Sequence, residues 1–323
     1  MLRVAFAGTF SVSIEPRVRA YLDVPCEIVL SDEAGIVAKL SQVDVLVTLA
    51  FTREMAGVAK RLKLVQVPGA GLDRIDRSAL PEGVALANVY GHETGIAEYV
   101  LGAMLALTRD FTRLDAGLRR GTWESQWAVG AKTPAPWPEL AGKTLGILGY
   151  GRIGQCLARR ARAFDMTVTA IRRDAGALDP HAIVGGPGAL ADVLAGADYL
   201  AITLPLTSET RGLLGERELR SMKPTAILVN VSRADIVDDD ALYAALAERR
   251  IAGAALDVWY RYPASAGPTL PARRPFHELP NVLMTPHVSG WTDGMLKARA
   301  TLIAENIRRA ARGALPVNLI PSQ

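Results

Sequence analysis

Residues 143–173 read KTLGILGYGRIGQCLARRARAFDMTVTAIRR, and this stretch decides the fold. A solid apolar run, Thr144 to Leu148, leads into Gly149-Tyr150-Gly151-Arg152-Ile153-Gly154, then a helical stretch, then a second apolar run from Thr167 to Ile171. Strand, GxGxxG, helix, strand is a βαβ unit in which each glycine has its own task. Gly149 permits the tight turn, Gly151 lets a pyrophosphate approach the backbone, and Gly154 allows the helix to pack on the strand. The first helical amides, at Arg152 and Ile153, are aimed at an anion. The unit predicts dinucleotide binding.

About twenty residues past the second glycine, such units commonly carry an Asp or Glu for the ribose 2′-hydroxyl. Here Arg172 and Arg173 stand at the end of the second strand. A carboxylate repels a 2′-phosphate, whereas guanidinium groups accept it in fork-shaped, charge-assisted hydrogen bonds. NADP(H) is therefore expected in preference to NAD(H).

Outward from this unit the same alternation continues. Toward the C-terminus, apolar runs at Tyr199–Leu204, Ala226–Val231, Ala254–Val258 and Val282–Thr285 bring the series to six strands, a doubly wound parallel sheet. Toward the N-terminus, Leu2–Gly8, Cys26–Leu30, Asp44–Leu49, Leu64–Pro68 and Val84–Val89 form another α/β unit. Between the two lie a helical stretch from Thr94 to Leu118 and a Pro- and Trp-rich connection from Thr133 to Pro138; a loop-like Arg261–Pro280 and an amphipathic helix, Asp293–Arg312, complete the chain. The pattern predicts an α/β protein with no internal repeat.

Composition narrows the function classes. Lys and Arg number 37 against 33 Asp and Glu, and the arginine pairs are scattered rather than gathered into a basic stripe, so nucleic acid is not an expected partner. Two cysteines, Cys26 and Cys156, are too few for a disulfide framework or a zinc site; no metal is expected, and the cytoplasm is the expected location. The opening MLRVAFAG reads as a strand, and no apolar run nears the roughly 20 residues that span a bilayer, so no membrane association is expected.

The chain resembles the D-isomer-specific 2-hydroxyacid dehydrogenase family, in particular its NADP-preferring, glyoxylate/hydroxypyruvate reductase-like members. The resemblance is carried by PGAGLDRID (68–76), GIAEYVLGAMLALTR (95–109), ELAGKTLGILGYGRIG (139–154), LPLTSETRGLL (204–214), MKPTAILVNVSRADIVDDDALYAAL (222–246), AGAALDVW (252–259) and LPNVLMTPHVSGWT (279–292). It implies a Rossmann cofactor domain over residues 94–292 and a smaller, flavodoxin-like α/β substrate domain split between 1–93 and 293–323. It also implies a homodimer with the helix near Gly95 at the interface, and the apolar series Ile96, Ala97, Val100, Leu101, Met104 and Leu105 is expected to supply the surface.

Carried onto this sequence, the resemblance makes Arg233 and His287 catalytic: Arg233 holds the substrate carboxylate and polarises the C2 oxygen, and His287 is the acid/base. Ala70 and Gly71 resemble the loop whose amides receive the carboxylate. Pro205, Thr210, Val231, Asp257 and Gly290, with His287, resemble residues on the cofactor side. Trp291 and Tyr262 are expected at the substrate; Trp259, Tyr260 and His92 are further candidates to line the pocket. Two positions depart from the family pattern. Ala234-Asp235 replaces preferred glycines, and Tyr262 stands five residues after Asp257 where a glutamate usually supports the histidine; Glu278 lies further along the proline-rich loop. Lacking a carboxylate partner, His287 is expected to lose its proton more readily. The function implied is NADPH-dependent hydride transfer to C2 of a small 2-oxo acid. The alternatives are reduction of a 2-imino acid to an amino acid and a non-catalytic, dinucleotide-sensing corepressor-like role, against which Arg233 and His287 together argue.

Overall fold

The computed structural model describes residues 1–130, 134–174 and 179–321, so the connection read from Thr133 begins outside the described residues. The chain divides into two compact units, Met1–His92 with Trp291–Gln323, and Glu93–Gly290.

In the first unit the apolar runs become β1 (Leu2–Ala7), β2 (Cys26–Ser31), β3 (Val45–Thr48), β4 (Leu64–Gln66) and β5 (Ala85–Ala87). All are parallel, in the order β2-β1-β3-β4-β5. Every residue of β3 and β4 is buried, the signature of strands covered on both faces. Helices α1 (Thr9–Arg19) and α2 (Arg53–Val58) connect strands, and Thr52 caps α2 by accepting from the Met55 amide at 3.3 Å. The last helix, Asp293–Ala311, lies against this sheet: Met295, Leu296, Ile303 and Ile307 join Val4, Phe6, Ile14 and Val47 in one core. Ile36, Leu40, Phe51, Met55 and Val65 belong to a second. Asn306 of the last helix is fully buried. Its amide nitrogen donates to Gln66 Oε1 at 2.6 Å and Val317 O at 3.1 Å, and its oxygen accepts from Val317 N at 2.7 Å.

The second unit holds β6 (Thr144–Leu148), β7 (Thr167–Ile171), β8 (Ile183–Gly185), β9 (Tyr199–Ile202), β10 (Ile227–Asn230), β11 (Gly253–Leu256) and β12 (Val282–Met284). Their order is β12-β11-β10-β9-β6-β7-β8, with every pair parallel. The sheet therefore has seven strands rather than the six read from the sequence. The extra edge strand β8 is three residues long and runs straight into Gly186 and Pro187, too short to show an apolar run.

The helical stretch from Thr94 to Leu118 is two helices, α3 (Glu93–Thr108) and α4 (Phe111–Leu118). Asp110 adopts a left-handed conformation, φ 51°, which breaks the hydrogen-bond ladder; aspartate tolerates this region better than most side chains. Helices α5 (Arg152–Arg162), α6 (Leu190–Gly196), α7 (Glu216–Ser221) and α8 (Asp239–Ala247) connect the strands. The apolar series on α3 is core rather than spare surface. Ile96, Ala97, Val100, Leu101 and Met104 are buried in one cluster with Leu145, Ile147, Leu157 and Val168. The excess of apolar residues reflects burial between the sheet and α5, which removes the stated basis for placing a subunit interface there. Among the described residues no helix is long and apolar enough to cross a membrane.

The Asn306 knot yields a stability prediction. Asn306→Ala leaves the Gln66 carbonyl oxygen and the Val317 N–H without their partner, and lowers stability by about 2 kcal/mol, read from the urea midpoint at constant slope.

Candidate active site

The phosphate loop follows β6 at the carboxyl edge of the second sheet. Gly149 has φ +103°, and a Cβ there would lie 2.7 Å from the backbone nitrogen of Leu204. A Cβ on Gly154 would lie 2.5 Å from the carbonyl oxygen of Gly149. Both glycines are thus enforced by the protein itself. Gly151 is different: as N-cap of α5 it faces open space, with nothing within 4 Å of an added Cβ. An open glycine at the N-terminus of an 11-residue helix is a cradle that fits a pyrophosphate. The amides of Gly149 and Tyr150 donate to Ile171 O at 3.0 and 2.8 Å, tying the loop to the end of β7. Burial and the nearby Asp179 carboxylate push the Tyr150 phenol above its ordinary range.

The two arginines after β7 have different surroundings. Arg172 is half-buried, and its amide donates to Gly185 O of β8 at 3.1 Å. Arg173 is exposed, with a guanidinium nitrogen 3.8 Å from Glu209. Beside β6 the strand order reverses, since β6 lies between β7 and β9, and α/β sheets hold ligands in the crevice at such a point. Pro205 and Thr210 form a turn after β9, with Thr210 Oγ1 donating to Pro205 O at 2.7 Å; Val231 lies buried just past β10.

Two strands farther along, another group of side chains gathers at the same edge. After β10, buried Asn230 donates to Arg233 O at 3.0 Å and accepts from Ser232 N at 3.1 Å, which shapes the turn that presents half-buried Arg233. After β11 comes Asp257, fully buried. Its Oδ1 accepts from the Thr285 hydroxyl at 2.6 Å and from Val288 N at 2.8 Å, and its Oδ2 from Ser289 N at 2.9 Å. Because the Thr285 hydroxyl donates to Asp257, it accepts from Tyr99 of α3, 2.6 Å away. These bonds hold the loop on which His287 sits, exposed and left-handed, φ 58°. Asp257, read as a cofactor neighbour, thus also sets the backbone that carries His287.

Against His287 stands Tyr262, its hydroxyl 2.8 Å from Nδ1 and accepting from Trp259 N at 3.4 Å. Desolvation pushes the Tyr262 phenol above its ordinary value, against the pull of the Trp259 amide and the Arg233 charge. Glu278 belongs to the short turn Phe276–Glu278, with its carboxylate 3.8 Å from His277. Tyr262 is therefore the residue on Nδ1.

The structure brings Arg233, Asp257, Tyr262 and His287 together in the second unit, with Gly290 at that unit's end. Ala70, Gly71 and Trp291 belong to the first unit. There Ala70 O accepts from Asn88 at 3.0 Å, and Trp291 packs edge-on against Phe10 with ring centres 5.8 Å apart. Trp259 and Tyr260, considered for the pocket, serve the core: the Trp259 indole donates to Thr285 O at 2.8 Å, the Tyr260 hydroxyl to Val237 O at 2.9 Å, and both rings pack on Phe276. His92 is buried beside Arg299 at 3.1 Å in the first unit. Reading by sequence missed Asn230, Thr285 and Tyr99 as supports. Their one signal was adjacency, Asn230 in NVSR and Thr285 in TPHVSG.

The glycines give a paired expectation. Gly149→Ala forces a Cβ against backbone in a left-handed turn and destabilises the fold by about 2 kcal/mol or more in a denaturant titration. Gly151→Ala leaves the unfolding midpoint within about 0.5 kcal/mol of the parent while weakening dinucleotide binding, read by cofactor fluorescence, by about tenfold or more.

The family model described as D-isomer specific 2-hydroxyacid dehydrogenase, NAD binding domain, matches residues 101–289. The chain is 35% identical to a glyoxylate reductase of Thermococcus litoralis over 294 residues, 87% of this chain and 85% of that one. It is 34% identical to a D-3-phosphoglycerate dehydrogenase of Methanocaldococcus jannaschii over 292 residues, 87% of this chain, and there it spans about half (52%) of the relative's length. In fold it matches the solved structure of an acyclic imino acid reductase in complex with NADPH and D-Arg, at a TM-score of 0.82 and 24% identity, covering 99% of this chain and 100% of the other. The chain is a member of the D-isomer specific 2-hydroxyacid dehydrogenase family, an NAD(P)-dependent oxidoreductase.

Proposed function

We propose that this enzyme uses NADPH to reduce a small 2-oxo acid at C2. The observation that carries the reading is the placement of Arg233 and His287 at the same sheet edge as a phosphate loop followed by Arg172 and Arg173. The bound dinucleotide supplies the hydride. The Arg233 guanidinium pairs with the substrate carboxylate and draws electron density toward the C2 oxygen; His287 delivers the proton that oxygen needs. The cradle at Gly151 takes the pyrophosphate, and the arginines after β7 take the 2′-phosphate, with half-buried Arg172 the better organised of the two. Glyoxylate, the substrate named for the relative from Thermococcus litoralis, is the first compound to test.

A second reading, reduction of a 2-imino acid, is favoured by one observation: Nδ1 of His287 meets a phenol rather than a carboxylate. We also infer a homodimer. Its apolar surface falls not on α3 but on exposed Phe111, Leu118, Trp123, Trp127 and Val129, and light scattering should return twice the chain mass.

Steady-state kinetics test the reading. NADPH is expected to be used more efficiently than NADH, and Arg172→Asp to cut that ratio by about ten- to a hundredfold, the worth of one charge-assisted hydrogen bond. Arg233→Ala and His287→Ala are each expected to lose most turnover while His287→Ala still binds the dinucleotide. Near-normal turnover in a folded His287→Ala protein removes the acid/base assignment. Glyoxylate and larger 2-oxo acids, each with and without ammonia or methylamine, separate the two acceptor classes.

A further inference from the structure

The loop after β4, at Gly69, Ala70 and Gly71, turns its carbonyls one way and its amides the other. Gly69 O accepts from Val89 N at 3.2 Å and Ala70 O from the Asn88 side-chain amide at 3.0 Å, so two successive carbonyls point at the end of β5. Each belongs to a planar trans peptide, in which C=O and N–H are antiparallel. The N–H groups of Ala70 and Gly71 therefore point away from β5, and among the described residues neither meets an acceptor. Gly71 is exposed and Ala70 half-buried. Two adjacent amides aimed outward at the carboxyl edge of a parallel sheet suit an anion. We propose that Asn88 is a positioning residue: its side chain holds the Ala70 carbonyl down and so presents the Gly71 N–H to the substrate carboxylate. This rests on the reading of the enzyme as one that acts on a 2-oxo acid.

A glycine on each side of Ala70 leaves the peptide planes it joins free to turn unless they are tied. The backbone ties the first plane; among the described residues Asn88 alone donates to Ala70 O and ties the second. Asn88 is 3% exposed and stands on a strand paired along both edges. One edge meets β4. Along the other, Leu319 bridges Ala87, Ile320 N donates to Leu86 O at 2.8 Å, and Asn318 Nδ2 donates to Asn88 O at 3.4 Å. The far end of the loop is anchored as well, by Phe51 N on Arg74 O at 3.1 Å and Asp76 N on Phe51 O at 2.8 Å. The Asn88 amide cannot be turned over, because Oδ1 would then face Ala70 O. Oδ1 itself is buried and meets no donor among the described residues. An apolar side chain would fill the place without that unmatched oxygen, so stability alone does not account for Asn88; its donor does.

What the bond supplies is pre-organisation. A carboxylate that meets an N–H already aimed at it gains a charge-assisted hydrogen bond without first ordering the loop. Without the Asn88 side chain the Gly71 N–H is still present but swings with its peptide plane, and the carboxylate loses affinity. The phosphate loop belongs to the other unit and keeps its own hold on the dinucleotide.

Calorimetric titration of oxamate, a carboxylate that is not reduced, into the NADPH-loaded enzyme reads the effect. Asn88→Ala is expected to weaken oxamate binding by about tenfold and to raise the KM for glyoxylate by a similar factor, with kcat and NADPH affinity within about twofold of the parent. Asn88→Asp supplies a readout that packing alone does not move. As the protonated acid it is isosteric and its O–H can donate to Ala70 O; as the carboxylate it can only accept. Burial raises the pKa of such an acid, so its oxamate affinity relative to the parent should approach parity near about pH 5 and fall by about tenfold or more by about pH 8. Parental oxamate affinity in folded Asn88→Ala, or a ratio for Asn88→Asp that does not change with pH, overturns the proposal. So does a parent that binds NADPH but not oxamate. A parent that reduces no 2-oxo acid removes the reading of the reaction, and a tenfold loss of oxamate binding in Asn88→Ala then still upholds the role of Asn88.

Discussion

A buried carboxylate sets the geometry on which the rest of the site depends. Asp257 is entirely removed from solvent, and an ionised group in that position costs several kcal/mol unless donors surround it. Three do: one hydroxyl and two consecutive backbone amides, all from residues 285–289. Charge-assisted bonds of this kind contribute about 1.5–3 kcal/mol each. That is enough to hold a non-glycine residue, His287, in the left-handed region, where strain is on the order of 1–3 kcal/mol. The imidazole is therefore presented by a loop whose shape is dictated from below by one carboxylate joining the ends of β11 and β12. Tyr99 extends the same chain of bonds to α3 through Thr285, so the helix, the strands and the histidine form one polar assembly.

The phosphate loop works by the opposite means. Steric exclusion shapes it, helped by one side-chain bond in which Thr203 Oγ1 donates to Gly149 O at 2.6 Å. A Cβ at Gly149 or Gly154 would meet backbone at under 3 Å, while one at Gly151 would meet nothing. The two halves of the site thus differ in the kind of damage they tolerate. The loop fails by the addition of atoms, and the histidine side by the removal of a charge or a donor. Both stand at the carboxyl ends of parallel strands, because only there does each strand release its chain into a loop beside its neighbours' loops.

Much of this was legible in the sequence, and the reasons are local. Solid apolar runs such as Thr144–Leu148 and Ala226–Val231 can be little other than buried parallel strands, and GYGRIG between a strand and a helix has one mechanical use. What escaped detection was decided at longer range. Ile183–Gly185 is a strand because β7 offers it an edge, not because its residues insist on it. The break at Asp110 follows from one backbone angle within an otherwise helical pattern, and the apolar excess on α3 could not announce whether a sheet or a second chain would cover it. Spacing from Asp257 pointed to Tyr262 as the departure from the family pattern. The bond it makes joins atoms 25 residues apart and depends on how a proline-rich loop is folded.

The same polar assembly makes sense of a phenol at that position. Asp257 already places one negative charge directly beneath the loop of His287, and its oxygens are occupied by the loop's own donors. A second carboxylate on Nδ1 would add a like charge to a partly desolvated neighbourhood. Tyrosine places a hydroxyl 2.8 Å from Nδ1 without that charge. The exchange keeps a second like charge away from Asp257.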